Sequence, residues 1–433
     1  MRIAILSPQP RTSGVVTYSH HLKAGFIDLG HQAEVVTFTL SGKPSTSFTA
    51  GPRDTKGVVR SGWGWSTLGF DRCERWDHAA EVLAEYEVIV MEEPRCAPLD
   101  KRTLRKLGNG DIKIGREIVQ SYSVTFEDLP PYIAALMNFE GKIAVTLHDP
   151  WYGFRHAPFL YQFMSYVNPD IVITHRDKAL ASAEWARTDG SPELRIPHLP
   201  YVRAPHGDTW ERTPTISMTG RYINNKGQPT LALAAALDLT PGGYDIDIGG
   251  ASPLGAGPNH TFLTFEGLTK EYGFEGKREG TDVTRGWPWK AFRDDGTFIE
   301  YSGPYEDPVK FLRTAAIHVN ATDPAFSGPG GIEYSTLEAM DAGCVIVVPR
   351  SAMPLTGRPE AMTFDITKLA NAELKPVGEE RFDTAQNLGV ALADASDIFE
   401  QDGYADDLAV ENYKVLDKFH APKLYAQKVL EAL

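Results

Sequence analysis

The chain has 433 residues, 42% of them hydrophobic, and a net charge of −14, which allows two α/β domains with separate cores and excludes a surface that attracts nucleic acid over its whole extent. It holds no apolar run of about 18 residues, which excludes a membrane-spanning helix. The three cysteines, Cys73, Cys96 and Cys344, are too widely spaced for a disulfide framework or a zinc site, so a reducing cytoplasm is the expected setting.

In chain order, Arg2–Ser7 reads as a buried strand rather than a signal peptide, whose apolar region would be longer. Ser13-Gly14-Val15-Val16 opens a helix over about Val16–Asp28, and Ala33–Thr39 is a second strand. This is a βαβ unit with a glycine in its first turn. Residues 41–75 are rich in Ser, Thr, Gly and basic side chains, carry Trp63, Trp65 and Phe70, and read as a long insertion. Residues 95–116 hold seven basic side chains against two acidic ones, whereas 371–433 hold six against thirteen. A polyanion could dock on the former segment, which could equally be an ordinary solvated stretch. Short apolar strands follow at Val88–Met91, Ile143–Leu147 and Ile171–Thr174, as in buried parallel sheets. A second α/β set comprises strands Ile216–Thr219, Tyr244–Ile248, Phe298–Ser302, Ala316–Asn320 and Val345–Val348, with helices Gln228–Leu237 and Glu333–Ala342, the latter stopped by Gly343. Leu408–Leu433 has helical apolar spacing broken by Pro422. The expected organisation is an N-terminal Rossmann-like domain over 1–205, a C-terminal one over 206–400, and closing helices over 401–433.

Three motifs carry chemistry. The first is Ser327-Gly328-Pro329-Gly330-Gly331-Ile332-Glu333-Tyr334-Ser335-Thr336-Leu337-Glu338, a glycine-rich loop entering a helix. Backbone N–H groups of Gly330 and Gly331 at such a helix start suit a diphosphate. Glu333 falls in the first turn, and Glu338, further along and on another face, suits ribose hydroxyls. The second is Gly220-Arg221, four residues, then Lys226-Gly227, directly after a strand. Two cations there can neutralise a leaving diphosphate in place of a metal. The third is Thr146-Leu147-His148-Asp149-Pro150 at another strand end. An imidazole beside a carboxylate can act as a base or orient a hydroxyl, although Asp149-Pro150 also simply favours a turn. Gly14 permits close approach of a sugar, or merely a tight turn. Asp245-Ile246-Asp247 resembles a metal-binding pair, but it sits in a strand, where residues two apart share a face anyway. No metal site is expected.

The second half resembles the retaining two-domain glycosyltransferases of the GT-B type, through Gly220–Gly227 and Tyr301–Pro349. That family commonly carries two glutamates separated by seven residues, and here the earlier position is Gly330. The spacing of Glu333 and Glu338 is instead similar to the T-even bacteriophage DNA α-glucosyltransferases, as are Gly14-Val15, His148-Asp149 and the Gly-Arg/Lys-Gly spacing. The resemblance implies two Rossmann-like domains facing across a cleft, with the C-terminal helix packing back on the first domain. It implies transfer of glucose from UDP-glucose, with retention and no required cofactor, to a hydroxymethylated pyrimidine in double-stranded DNA, in the cytoplasm of an infected host cell. Arg221 and Lys226 would stabilise the departing UDP, Glu338 would hold the ribose, and Glu333 would lie near phosphates or sugar. His148 and Asp149 would face the acceptor base. The relatives' first-helix glutamate corresponds to His21, so His20 and His21 join Arg102, Arg105 and Lys106 as acceptor-side candidates. A GT-B enzyme with a small, lipid-linked or polysaccharide acceptor remains the alternative, and a non-enzymatic nucleotide-sugar or polyanion binder is a third reading.

Overall fold

The computed structural model describes residues 1–7, 14–39, 70–92, 131–148, 167–175, 192–204, 212–221, 227–251, 270–278, 289–292, 298–303, 312–322, 333–357, 362–365, 379–401 and 404–433. Two sheets organise them. The first is wholly parallel and contains β1 (Arg2–Leu6), β2 (Gln32–Thr39), β3 (Arg72–Arg75), β4 (Val88–Glu92), β5 (Lys142–Leu147), β6 (Ile171–Thr174) and β7 (Glu193–Arg195), in the order β3-β2-β1-β4-β5-β6-β7. Its central strands are β-branched runs such as Val-Ile-Val-Met-Glu and Ile-Val-Ile-Thr, buried along their whole length. Helices cover both faces of such a sheet, so its strands carry no polar face.

The second sheet contains β8 (Thr213–Arg221), β9 (Asp245–Ala251), β10 (Glu275–Arg278), β11 (Trp289–Phe292), β12 (Phe298–Gly303), β13 (Ala315–Val319), β14 (Val345–Pro349) and β15 (Met362–Phe364). The order is β10-β11-β12-β9-β8-β13-β14-β15, and β11 alone runs against the others, pairing antiparallel with β10 and β12. In each sheet the strand order reverses direction once near the middle, between β1 and β4 and between β8 and β13. Ligands of open α/β sheets bind outside the carboxyl ends of the strands at these points.

The helices are α1 (Gly14–Asp28), α2 (Ala79–Leu83), α3 (Pro131–Met137), α4 (Gln228–Ala236), α5 (Tyr334–Asp341), α6 (Met353–Thr356), α7 (Glu379–Phe399), α8 (Tyr404–Phe419) and α9 (Pro422–Ala432). Several differ from expectation. Residues 72–75, assigned to the insertion, form β3, whose edge position tolerates the polar sequence Arg-Cys-Glu-Arg. α5 begins at Tyr334, leaving Glu333 as its extended N-cap rather than a member of its first turn. α7 went unread because its buried stripe is largely small: Ala385, Leu388, Ala391, Leu392 and Ala395. Gly343, at φ +77°, does stop α5, and Pro422 does separate the last two helices.

One core joins the two halves. Ile3, Ile5, Tyr18, Leu22 and Phe26 from the first sheet and α1 share it with Leu337 and Met340 of α5 and with Tyr425, Ala426 and Val429 of α9. The C-terminal helix thus packs back onto the N-terminal domain. Gly25 admits it: a Cβ there would meet the Pro422 backbone and lie 3.0 Å from the Ala426 Cβ. Among the described residues no helix is long and apolar enough to cross a membrane.

Candidate functional site

The half expected from sequence to hold the donor lies where β8 and β13 end. Arg221 is the last residue of β8, and Gly227 caps α4. Gly227 has φ +80°, a conformation that favours glycine. An added Cβ there would also meet the carbonyl oxygen and carbon of Ala321 at 2.8 and 2.9 Å. The second glycine of the basic motif therefore lets the start of α4 lie against the segment leaving β13. On that segment the Asn320 amide donates to the Thr336 hydroxyl at 2.8 Å, and its carbonyl accepts the Thr322 N–H at 2.9 Å. These bonds tie the strand end to the first turns of α5, at both ends of the intervening glycine-rich loop.

Tyr334, the first residue of α5, carries the donor half into the other domain. Its hydroxyl donates to Pro200 O at 3.0 Å, its ring lies 5.2 Å from that of His21, and its Cδ2 is 3.7 Å from where a Gly14 Cβ would stand. The starts of α1 and α5 are therefore neighbours, and the positive ends of both helices lie at the junction. Burial holds the Tyr334 phenol well above the usual tyrosine range, reinforced by Tyr425, Glu92 and Glu338. Glu338, half-buried on α5, thus acts on the same group as Glu92 from the other domain.

The half expected to face the acceptor is built at the carboxyl ends of β4, β5 and β6. Glu92 ends β4, His148 follows β5 and His175 follows β6. Glu92 pairs in register with Thr146, and Thr174 with Leu147, so alternation puts Glu92 and His148 on one face and sets His175 beside His148. The Glu92 carboxylate lies 2.6 Å from His148 Nε2, with both side chains essentially without solvent exposure. The Tyr18 ring from α1 stands edge-on to His148 at 4.6 Å, and the His175 ring lies 5.3 Å from it. Tyr425 from α9 closes the group by hydrogen-bonding its hydroxyl to that of Tyr18. Burial, first of all, raises both tyrosine pKa values well above the ordinary one, so both are neutral, with the Tyr18 hydroxyl donating to that of Tyr425.

His20 and His21, candidates for the acceptor side, are both buried in α1. His21 Nδ1 accepts the Val202 N–H at 3.0 Å, and its ring packs against Tyr201 and Tyr334. Burial, and then the neighbouring His20, lower its pKa to about 3, so the ring is neutral. That nitrogen is engaged by the segment joining the two sheets, which is held along its length. Tyr201 N–H donates to His420 O at 2.7 Å, and the Asp341 carboxylate accepts the Ala204 N–H at 2.8 Å and the Tyr201 hydroxyl at 3.2 Å. His420, also neutral with a pKa near 4 because of burial, donates through Nδ1 to Leu199 O at 2.8 Å.

Of the residues singled out from sequence, Gly14, Glu333 and Glu338 meet around Tyr334, and His148 stands across the junction. Asp149, Lys226, Gly330, Gly331, Arg102, Arg105, Lys106 and the Arg221 side chain lie outside the described residues. Glu92, His175, Tyr18 and Tyr425 were missed. Glu92 alone left a trace, as a carboxylate closing an otherwise apolar run. Among the described residues no group of three or more His, Cys, Asp or Glu side chains could hold a metal ion.

No protein-family profile and no curated protein sequence matches this chain. Solved structures do. An alpha-glucosyltransferase in complex with UDP and a 13-mer DNA containing an HMU base superposes with a TM-score of 0.62 at 14% identity, covering 100% of this chain and 99% of that one. The same kind of enzyme with UDP-glucose and DNA containing an abasic site gives 0.60 at 14%, over 99% and 98% of the two chains. Anabaena Alr3699/HepE in complex with UDP gives 0.57 at 12%, over 100% and 99%. At such identities the likeness is one of fold, and it is shared along the whole chain: this protein has the GT-B architecture of two Rossmann-like domains.

Proposed function

We propose that the protein is a retaining glycosyltransferase that moves glucose from UDP-glucose to a hydroxymethylated pyrimidine in double-stranded DNA. The observation that carries glycosyl transfer is the meeting of the α1 and α5 helix starts through Gly14 and Tyr334, beside the ends of β8 and β13. Two positive helix ends beside the Gly220–Gly227 motif suit a diphosphate, and the fold's relatives are solved with UDP or UDP-glucose. In the reaction the bond from the anomeric carbon to the phosphate oxygen breaks, the acceptor hydroxyl oxygen bonds to that carbon, and the hydroxyl proton passes to the His148–Asp149 pair. The departing UDP takes the charge, and Arg221, Lys226 and the loop N–H groups offset it without a metal. Glu338 holds the ribose, Glu333 lies near the phosphates or sugar, and His148 and Asp149 face the acceptor hydroxymethyl group.

DNA as the acceptor rests on the motif resemblance and on relatives solved with 13-mer DNA. The target base would leave the stack to enter the junction, with 95–116 and the aromatic-rich part of 41–75 as the DNA-facing surface. A second reading, a small, lipid-linked or polysaccharide acceptor, is favoured by the net charge of −14 and by HepE solved with UDP and glucose. Incubation with radiolabelled UDP-glucose and hydroxymethylated DNA, plain DNA, or a glycolipid separates the readings. Label in hydroxymethylated DNA alone supports the first, label in the glycolipid alone supports the second, and no label in any arm overturns both. Arg221→Ala should lower turnover with little loss of thermal stability, and unchanged turnover would remove Arg221 from the donor site.

A further inference from the structure

The Glu92–His148 pair raises a question that stability does not answer. Glu92 closes a strand whose other residues are Val88, Ile89, Val90 and Met91, and its side chain is as buried as theirs. Burying a carboxylate costs several kcal/mol, and replacing a buried ionic pair by apolar side chains is often neutral or stabilising. A carboxylate retained there, at the ligand-binding edge of the sheet and beside the point where its strand order reverses, is therefore in place for something other than stability.

We propose that Glu92 is a positioning residue that fixes the tautomer and orientation of His148. With Glu92 ionised the carboxylate only accepts hydrogen bonds, and at 2.6 Å the proton on the shared edge then belongs to His148 Nε2. A neutral imidazole protonated at Nε2 carries its lone pair on Nδ1. In that tautomer Nδ1 is the accepting nitrogen of the ring. The ring cannot easily turn to exchange its nitrogens. Tyr18 stands edge-on to it at 4.6 Å, His175 lies at 5.3 Å, and Tyr18 is itself tied to Tyr425 of α9. The last helix of the chain thus contributes to the wall of the acceptor half. His175 is fixed too, its Nδ1 donating to Ile196 O at 2.8 Å. The substrate-facing task of His148 rests on the glycosyltransferase reading. The pairing itself does not.

The test is Glu92→Gln in the full-length protein, read three ways. Long-range proton–nitrogen correlation on histidine-labelled protein, with the His148 signals identified by their loss in His148→Gln, should show Nε2 protonated in the parent and a mixture or reversal of tautomers in the variant. Thermal unfolding should be unchanged or slightly raised. With UDP-glucose and the accepted substrate, kcat should fall by about tenfold or more while KM for UDP-glucose stays within about twofold. Glu92→Asp, which keeps the charge but withdraws the carboxylate by one methylene, provides the same comparison if the amide variant does not fold. An unchanged His148 tautomer, or lowered thermal stability with unchanged kcat, would overturn the proposal. Failure of the parent protein to transfer glucose to any acceptor would count against the glycosyltransferase reading alone, because the tautomer comparison needs no substrate.

Discussion

Gly227→Ala perturbs the donor half at its tightest point. Two effects add. At φ +80° a residue with a Cβ is strained by roughly 1–2 kcal/mol. The new methyl also meets the Ala321 carbonyl oxygen and carbon at 2.8 and 2.9 Å, and these are backbone atoms that cannot rotate away. Moving α4 or the segment after β13 to make room costs about another 1–3 kcal/mol. The sum, about 2–5 kcal/mol, corresponds to a Tm loss of roughly 5–15 °C for a domain of this size. Gly243→Ala separates the two contributions: its φ is +81° and nothing lies within 4 Å of an added Cβ, so only the backbone strain remains. Differential scanning calorimetry of both variants, followed by UDP-glucose titration, is the assay. Gly227→Ala should be the less stable of the two and, on the proposed function, should bind UDP-glucose more weakly, because Gly227 closes the motif that carries Arg221 and Lys226. Equal melting temperatures for the two variants would refute the close approach of α4 to Ala321.

Asp341→Ala should destabilise the protein by about 3–5 kcal/mol, because it leaves the Ala204 N–H and Tyr201 hydroxyl without their buried acceptor and removes a partner of Arg203; urea unfolding measures it, and a midpoint equal to that of the parent would contradict the clasp on the joining segment. Acid should weaken the fold. Burial lowers the pKa of His21 and His318 to about 3 and of His420 to about 4, so between an ordinary value near 6.5 and those values the unfolded chain takes up protons that the folded chain refuses. Their stabilising effect is complete above about pH 6.5 and declines as pH falls, by roughly 2 kcal/mol at pH 5 for each of His21 and His318; a Tm that stays flat from pH 7 to pH 5 would show that the rings are not held neutral. Neutralising Arg102, Arg105 and Lys106 together should weaken DNA binding and make the slope of log affinity against log salt shallower by roughly 2–3, and an unaltered slope would remove that segment from the DNA surface.

What was legible in the sequence follows from how each element is stabilised. The parallel strands read clearly because burial on both faces demands continuous Val and Ile, as in Val345–Pro349. The entries to α4 and α5 stand out in the sequence because glycines recur where strands turn into helices. The edge elements did not. β3 and β10 are short and polar, since their positions in the sheet do not require an apolar pattern. The acceptor half was legible only through His148. Glu92, His148, His175, Tyr18 and Tyr425 come from five separate elements, and the parallel register that brings them together leaves no local spacing to find. His21 shows the opposite limit. Its place in the motif alignment pointed to the acceptor, whereas its Nδ1 is occupied by a backbone N–H of the segment joining the sheets.

That segment explains why so much of the buried polar chemistry lies at the junction. Residues 199–204 cross between the domains largely buried, so their backbone polar groups call for partners inside the protein. The partners come from both sides: His21 from α1, Tyr334 and Asp341 from α5, and His420 from the turn between α8 and α9. Tyr334 has a double part, because the residue whose hydroxyl secures Pro200 is also the first residue of the helix that the glycine-rich loop enters. The start of α5 therefore cannot shift without drawing on the contact that fixes one domain against the other. The chain returns to the first domain through α9 for a related reason: Tyr425 reaches Tyr18 only if the last helix crosses back, and Gly25 is the residue that lets it cross closely enough.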